Sequence, residues 1–243
     1  MSKASEQDKE KAVDLWTKAA EQGCIDSKFF LGEIYYNGRG VEEDKVKAVE
    51  LWTQAADLGQ DDAQFELGRL YYIGDGVEQD TAKAEELWAK AADQGHTGAQ
   101  YLLGRLYYIG NGVEKDNAKA ANLWAKAAVQ GHEWAQYRLG NMYFDGNGVE
   151  QDKAKAAKFF TKAAELGHKG AQFKKYTAVC AICSAGEGKD GSKLLRCGGC
   201  SSVYYCSLAC QKKAWPSHKK NCKHLKDARK QRKRNKKVRE RGC

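Results

Sequence analysis

A strict 36-residue period governs the first three quarters of the sequence. Trp16, Trp52, Trp88 and Trp124 stand 36 residues apart, and Phe160 continues the series. Gly23, Gly59, Gly95, Gly131 and Gly167 keep the same step. So do the Leu-Gly pairs at Leu31, Leu67, Leu103 and Leu139, and the Gly-x-Gly-Val turns ending at Val41, Val77, Val113 and Val149. A period of this length marks a chain built from stacked supersecondary units.

Residues 63–98 show what one unit must do. Ala63, Leu67 and Tyr71 fall at i, i+4 and i+8, one face of a helix. Gly68 on that helix lacks a side chain, so a neighbouring helix can approach closely. Gly74 and Gly76 end the helix, because glycine accepts the positive φ of a C-cap or turn. Asp80 suits the N-cap of a second helix. Ala84, Leu87, Trp88, Ala91 and Ala92 then form its apolar stripe, and Gly95 ends it. Each unit is thus a helical hairpin whose apolar face needs a neighbour, and stacking yields a superhelix.

The pattern A-x-x-x-L-G-x-x-Y…G-x-G-V…D…K-A…L-W-x-K-A-A-x-x-G resembles the Sel-one-like repeat family, relatives of tetratricopeptide repeats. The resemblance implies a mainly α fold, an αα-hairpin repeat superhelix (solenoid) over residues 1–176 that scaffolds protein complexes. Four full units are expected at 27–62, 63–98, 99–134 and 135–170, with residues 7–26 and 171–176 as capping halves. Ser27 replaces the alanine of Ala63, Ala99, Ala135 and Ala171 and is small enough to keep the fold. If the first helix lines the inner surface, as in those relatives, two aromatic rows face a groove. One is Phe29, Phe65, Tyr101 and Tyr137; the other is Tyr36, Tyr72, Tyr108 and Phe144. Each ring can serve packing between repeats, or Phe65, Tyr72, Tyr101 and Tyr108 can form a platform for an extended peptide. Glu33, Arg69, Arg105 and Asn141 would supply polar specificity. His96, His132 and His168 also recur in register. Equivalent positions on stacked helices are about 8–10 Å apart, too far for one metal ion, so they are expected as solvated loop residues.

The net charge of +9 is unevenly placed. Residues 1–176 carry 23 Lys and Arg against 28 Asp and Glu, whereas residues 223–243 carry 11 against 2. The start MSKASEQDKE is polar and does not read as a signal peptide. No apolar run approaches the ~18 residues of a membrane span. An intracellular protein is expected, with cytoplasm and nucleus both open.

Seven of the nine cysteines fall within 180–222, in the pattern C-x2-C-x13-C-x2-C-x5-C-x3-C-x7-H-x3-C. With no export signal, that spacing points to zinc and not to disulfides. Eight ligands make two closed tetrahedral sites of the structural kind. Cys206 with Cys210, and His218 with Cys222, are i, i+4 pairs that can share a helix face. Spacing alone leaves sequential and interleaved pairing open. The stretch Y-C-x3-C-Q-x3-W-x2-H-x3-C resembles the MYND-type finger, here over 177–223, with a longer Gly- and Lys-rich spacer. The resemblance implies interleaved sites: Cys180, Cys183, Cys206 and Cys210 on one zinc ion, Cys197, Cys200, His218 and Cys222 on the other. It also implies that Gln211 and Trp215 line a groove for short proline-containing peptides, although Trp215 can equally pack beside a zinc site.

Residues 224–243 form a basic tail with almost no aromatics, expected to be disordered. It can be a solvated tail, an import signal, or an electrostatic contact with nucleic acid or acidic lipid. No catalytic constellation or phosphate loop stands out, and no small-molecule substrate is implied. The sequence therefore reads as a non-enzymatic adaptor for proteins or peptides; a nucleic-acid-associated regulator is the alternative. Because 180–222 has few large apolar residues, zinc is expected to supply most of its folding free energy. Strong chelation should unfold the finger and leave repeat helicity nearly intact. Circular dichroism that shows one shared collapse would contradict this.

Overall fold

The computed structural model describes residues 6–172, 174, 195–196 and 204–205, with side chains from residue 11 to residue 174 apart from Phe173. The chain falls into two compact units, Met1–His132 and Glu133–Cys243. The division lies between two hairpins. Hairpins in a repeat array contact their neighbours only, so a division can fall between any two of them.

The first unit holds α1 (Glu6–Glu21), α2 (Ile25–Asn37), α3 (Lys45–Asp57), α4 (Asp61–Ile73), α5 (Thr81–Asp93), α6 (Thr97–Ile109) and α7 (Asn117–Val129). The second holds α8 (Glu133–Asp145) and α9 (Lys153–Glu165), further helical residues at 169–172, and two short strands. The pairs α2/α3, α4/α5, α6/α7 and α8/α9 are the expected hairpins, and α1 precedes them in the place of a second helix. The N-cap of α4 is Gln60, whose side chain accepts from Ala63 N.

Helix boundaries follow from local chemistry. Gly74 takes a left-handed φ of 74° and its N–H donates to Leu70 O at 2.8 Å, closing α4. The loop then returns so that Asp80 N donates to Tyr71 O at 2.9 Å. Asp80 Oδ1 accepts from Lys83 N at 3.0 Å and caps α5. Asp44, Asp116 and Asp152 cap α3, α7 and α9 in the same manner. A second use of that turn escaped the sequence reading. The residue three after each Asp is lysine, and Lys47, Lys83, Lys119 and Lys155 lie over the rings of Tyr35, Tyr71, Tyr107 and Tyr143 at 4.0, 4.9, 5.0 and 5.3 Å.

The tryptophans hold each hairpin closed. Trp88 is 2% exposed and lies against the bare backbone of Gly68; a Cβ there would stand 2.7 Å from Trp88 Cδ1. Its indole N–H donates to Phe65 O at 3.1 Å. Trp52 with Gly32 and Phe29 O, and Trp124 with Gly104 and Tyr101 O, repeat the arrangement. Phe160 lies likewise against Gly140 but has no N–H to donate. Trp16 departs from the series: it is 36% exposed and packs beside Phe30 at 5.2 Å. Around these rings Ala63, Ala84, Ala91 and Ala99 are fully buried, which leaves no space for larger side chains.

Buried glutamines tie successive hairpins together. Gln64 Nε2 donates to Ala56 O at 3.1 Å and Gln64 Oε1 accepts from Gln94 Nε2 at 2.8 Å. Gln100 does the same between Ala92 O and Gln130, at 3.1 and 2.9 Å. Ala56 and Ala92 sit in the last turns of α3 and α5, where their carbonyls also accept from Gly59 N and Gly95 N at 3.0 and 3.1 Å, so each glutamine adds a second donor at a helix end.

On an open helix surface, alanine for glycine stabilises by about 0.5–1 kcal/mol. Gly68→Ala should do the reverse and cost about 1–3 kcal/mol, because the methyl group meets an indole that has no room to move. Urea unfolding followed by helical circular dichroism checks the sign; a raised midpoint would refute the close-packing account.

Candidate protein-interaction site

Two first helices of the first unit, α4 and α6, bring together the aromatic positions singled out in the sequence. Phe65, Arg69, Tyr72 and Ile73 follow along α4; Tyr101, Arg105, Tyr108 and Ile109 follow along α6. Steps of three and four residues keep them on one side of each helix. Gly98 lets the first turn of α6 approach Phe65, since a Cβ there would stand 3.1 Å from the phenyl ring.

Each ring has one side committed to packing. Tyr72 lies 5.4 Å from Trp88, and Tyr108 lies 5.3 Å from Trp124. Phe65 stacks on His96 at 4.4 Å, and Tyr101 stacks on His132 at 4.5 Å. All four rings remain half-buried, so packing between repeats is part of what they do. Ile73 and Ile109, in register at the ends of α4 and α6, are 51% and 52% exposed. They escaped the sequence reading, although an apolar residue recurring off the core stripe was the available signal.

The polar positions differ from one another. Arg69 Nε donates to Glu66 Oε2 at 2.8 Å, and its guanidinium lies 5.5 Å from the Tyr36 ring. Tyr36 OH donates to Asp75 Oδ2 at 2.7 Å, and Lys45 Nζ donates to Asp75 Oδ1 at 2.8 Å. The Lys45 bond, helped by Tyr36, holds the Asp75 carboxyl below its usual range. Arg105 is exposed and has no hydrogen-bond or ion-pair partner among the described residues. In the second unit, Asn141 Nδ2 donates to Tyr137 O at 2.9 Å, and Asn141 accepts from Lys174.

The histidines correct the sequence reading. They are not solvated loop residues. His96 Nδ1 accepts from Ala99 N at 3.0 Å and caps α6, while His168 Nδ1 accepts from Ala171 N at 3.1 Å. Gln60 occupies the same register and caps α4 by accepting from Ala63 N. Each of the three imidazoles stacks on the aromatic residue 31 positions earlier, with Tyr137–His168 at 4.2 Å. The sequence offered a signal, since each histidine directly precedes the first helix of a repeat.

The seven cysteines and one histidine expected to hold zinc, Gln211, Trp215 and the basic tail lie outside the described residues. Within their stretch, strand β1 (Leu195–Arg196) pairs antiparallel with β2 (Tyr204–Tyr205), with Arg196 opposite Tyr204. In the sequence Cys197 directly follows β1 and Cys206 directly follows β2. Seven thiols and one imidazole form a soft donor set that suits zinc. Among the described residues no cluster of His, Cys, Asp or Glu forms a metal site, and no helix is long and apolar enough to cross a membrane.

Comparison with known proteins agrees with both halves of this reading. The MYND finger family matches residues 180–222, which makes the C-terminal segment a zinc-binding finger. Over 48 residues the chain is 52% identical to human histone-lysine N-methyltransferase SMYD3, covering 20% of this chain and 10% of that protein. Over 52 residues it is 40% identical to chicken N-lysine methyltransferase SMYD2, covering 19% of this chain and 12% of that protein. The chain thus spans about a tenth of the length of these relatives. Among solved structures, a protective antigen of uropathogenic Escherichia coli with an SLR fold, c5321, superposes with a TM-score of 0.69 at 37% identity, over 72% of this chain and 37% of that one. A Sel1 repeat protein from Oxalobacter formigenes gives 0.64 at 41% identity, over 68% and 48%. The Sel1 repeat itself matches at 3–24, 25–60, 61–96, 97–132 and 135–168, and the chain belongs to the Sel1 repeat family.

Proposed function

We propose that the chain is a non-enzymatic adaptor in which the repeats hold one protein and the finger reads a short peptide motif on another. One observation carries this reading: matches to two interaction families occupy residues 3–168 and 180–222 and leave little sequence between them. The methyltransferase relatives share the finger stretch alone, so their named activity is not carried over. Thiolate ligands need a reducing setting, which supports an intracellular site of action in cytoplasm or nucleus.

In this reading the finger holds two structural zinc ions, one on Cys180, Cys183, Cys206 and Cys210 and the other on Cys197, Cys200, His218 and Cys222. Gln211 and Trp215 meet the peptide, and a proline-containing motif fits the MYND resemblance. On the repeats, the open edges of Phe65, Tyr72, Tyr101 and Tyr108 form an apolar floor. Exposed Ile73 and Ile109 extend it, and Arg105 supplies an uncommitted cation.

Three measurements test the proposal. Elemental analysis of the metal-replete chain should find two moles of zinc per mole of protein, and fewer would contradict the ligand sets. Arg105→Glu should leave stability within about 0.5 kcal/mol, as expected of an exposed side chain without partners. Tyr108→Ala should cost about 3–5 kcal/mol, as expected when a packed aromatic ring is deleted. Equal unfolding midpoints for the two variants would remove the distinction between contact and packing positions. Affinity capture with the intact protein, Cys197→Ala and Arg105→Glu should separate two sets of partners, one lost with each variant. Partners that respond identically to both changes, or that dissociate steeply with salt through phosphate contacts, would overturn the two-site adaptor.

A further inference from the structure

We propose that the junction at His168 is proton-sensitive: protonating its imidazole removes one of the two acceptors of the Ala171 amide, the other being His168 O at 3.1 Å, and loosens residues 169–172 from α8. Those residues lead by sequence into the finger match that begins at residue 180.

The case starts from four positions in register. Gln60, His96 and His168 each accept a hydrogen bond from the backbone N–H three residues on, and His132 keeps the same stacking geometry. An imidazole can accept at Nδ1 only while that nitrogen is unprotonated. A proton on Nδ1 removes the acceptor and sets a positive charge beside helix N–H groups that already carry partial positive charge. Gln60 is the chain's own version of the cap that does not titrate.

The histidine junctions differ in what meets the other nitrogen. His96 Nε2 lies 3.2 Å from Asp62 Oδ1, a carboxylate able to receive its N–H. The residue in the same register before His168 is Trp134, 72 positions after Asp62. Trp134 meets His168 edge-on at 4.4 Å and offers no acceptor in the ring plane. His168 is 6% exposed, and its Nε2 is buried without a hydrogen-bond partner. Tyr137 stacks on its face at 4.2 Å, and α9 contributes the carbonyl of Ala163, which accepts from His168 N at 2.9 Å.

The charged groups that reach His168 are both on α8. Glu133 favours a charged ring and Arg138 disfavours it, while burial, the largest influence, lowers the imidazole below its ordinary value. A base that resists protonation when folded contributes stability above its unfolded value, 6.5 here. That contribution is lost as pH falls below it, where the unfolded chain takes up the proton more readily. The acid side of neutrality is therefore where this junction weakens.

The test uses the full zinc-loaded chain. Nuclear magnetic resonance follows the His168 ring and the Ala171 amide from pH 7.5 downward, and hydrogen exchange is corrected for its intrinsic rate. His168 should titrate below 6.5, and the Ala171 amide shift should follow the same midpoint. Protection at Ala171 should drop about fivefold or more across that midpoint, the scale of one lost N-cap. Trp134→Asp restores the partner that His96 has and should raise the midpoint. His168→Gln copies Gln60 and should keep Ala171 protected at acid pH. The proposal is overturned if wild-type His168 titrates at or above 6.5, or if the Ala171 amide ignores that titration. It is equally overturned if Trp134→Asp leaves the midpoint unmoved, or if His168→Gln loses protection as the wild type does. Should His168→Gln fail to fold, the wild-type titration and Trp134→Asp still decide.

Discussion

An indole resting on a naked stretch of helix backbone is the contact on which the repeats depend. Trp88 covers Gly68 and bonds to Phe65 O, so a single side chain fixes both the distance and the axial register between α4 and α5. The same contact at Trp52 and Trp124 makes each hairpin a closed local unit. Fully buried alanines at the surrounding positions transmit that spacing, since close-packed interiors respond to a change of even one methylene. The hairpins then need joining, and here the chain uses polar groups. The bonds from Gln64 to Ala56 O and from Gln100 to Ala92 O run between hairpins and meet carbonyls at helix ends, while Gln94 and Gln130 hold the same amides from within the hairpin. A buried amide that finds partners on both sides favours one arrangement of neighbours over others.

Much of the repeat was legible because its signals are local. Period, turn glycines, aspartate caps and the tryptophan stripe each depend on residues close in sequence. What stayed hidden depends on residues that meet across a junction. His96 reads as a loop residue until Phe65 and the Ala99 amide are brought beside it. Gln64 carries no local signal, and its role appears only with Ala56 O and Gln94 beside it. Lys83 likewise gains its place only where the turn carries it over Tyr71. The finger was legible for the opposite reason. Thiolates and imidazoles at fixed short spacings announce coordination chemistry before any fold is known.

On the candidate interaction surface, packing and recognition share the same rings. Tyr72 and Tyr108 each give one side to a core tryptophan and leave another half-buried. Charge follows a different logic. Arg69 is held by Glu66, while Arg105, one repeat later, is left open. A near-exact structural repeat thus becomes a non-repeating chemical surface through changes at a few positions.

The bond from each tryptophan ends on a main-chain oxygen, at Phe29, Phe65 and Tyr101. Every amino acid supplies that oxygen, so the latch does not depend on which side chain the acceptor residue carries. What limits substitution there is the ring and not the latch: Phe29 is buried, and Phe65 and Tyr101 stack on His96 and His132. The tolerance of each hairpin to change at these residues is therefore set by its neighbour across the junction, while the tie inside the hairpin holds.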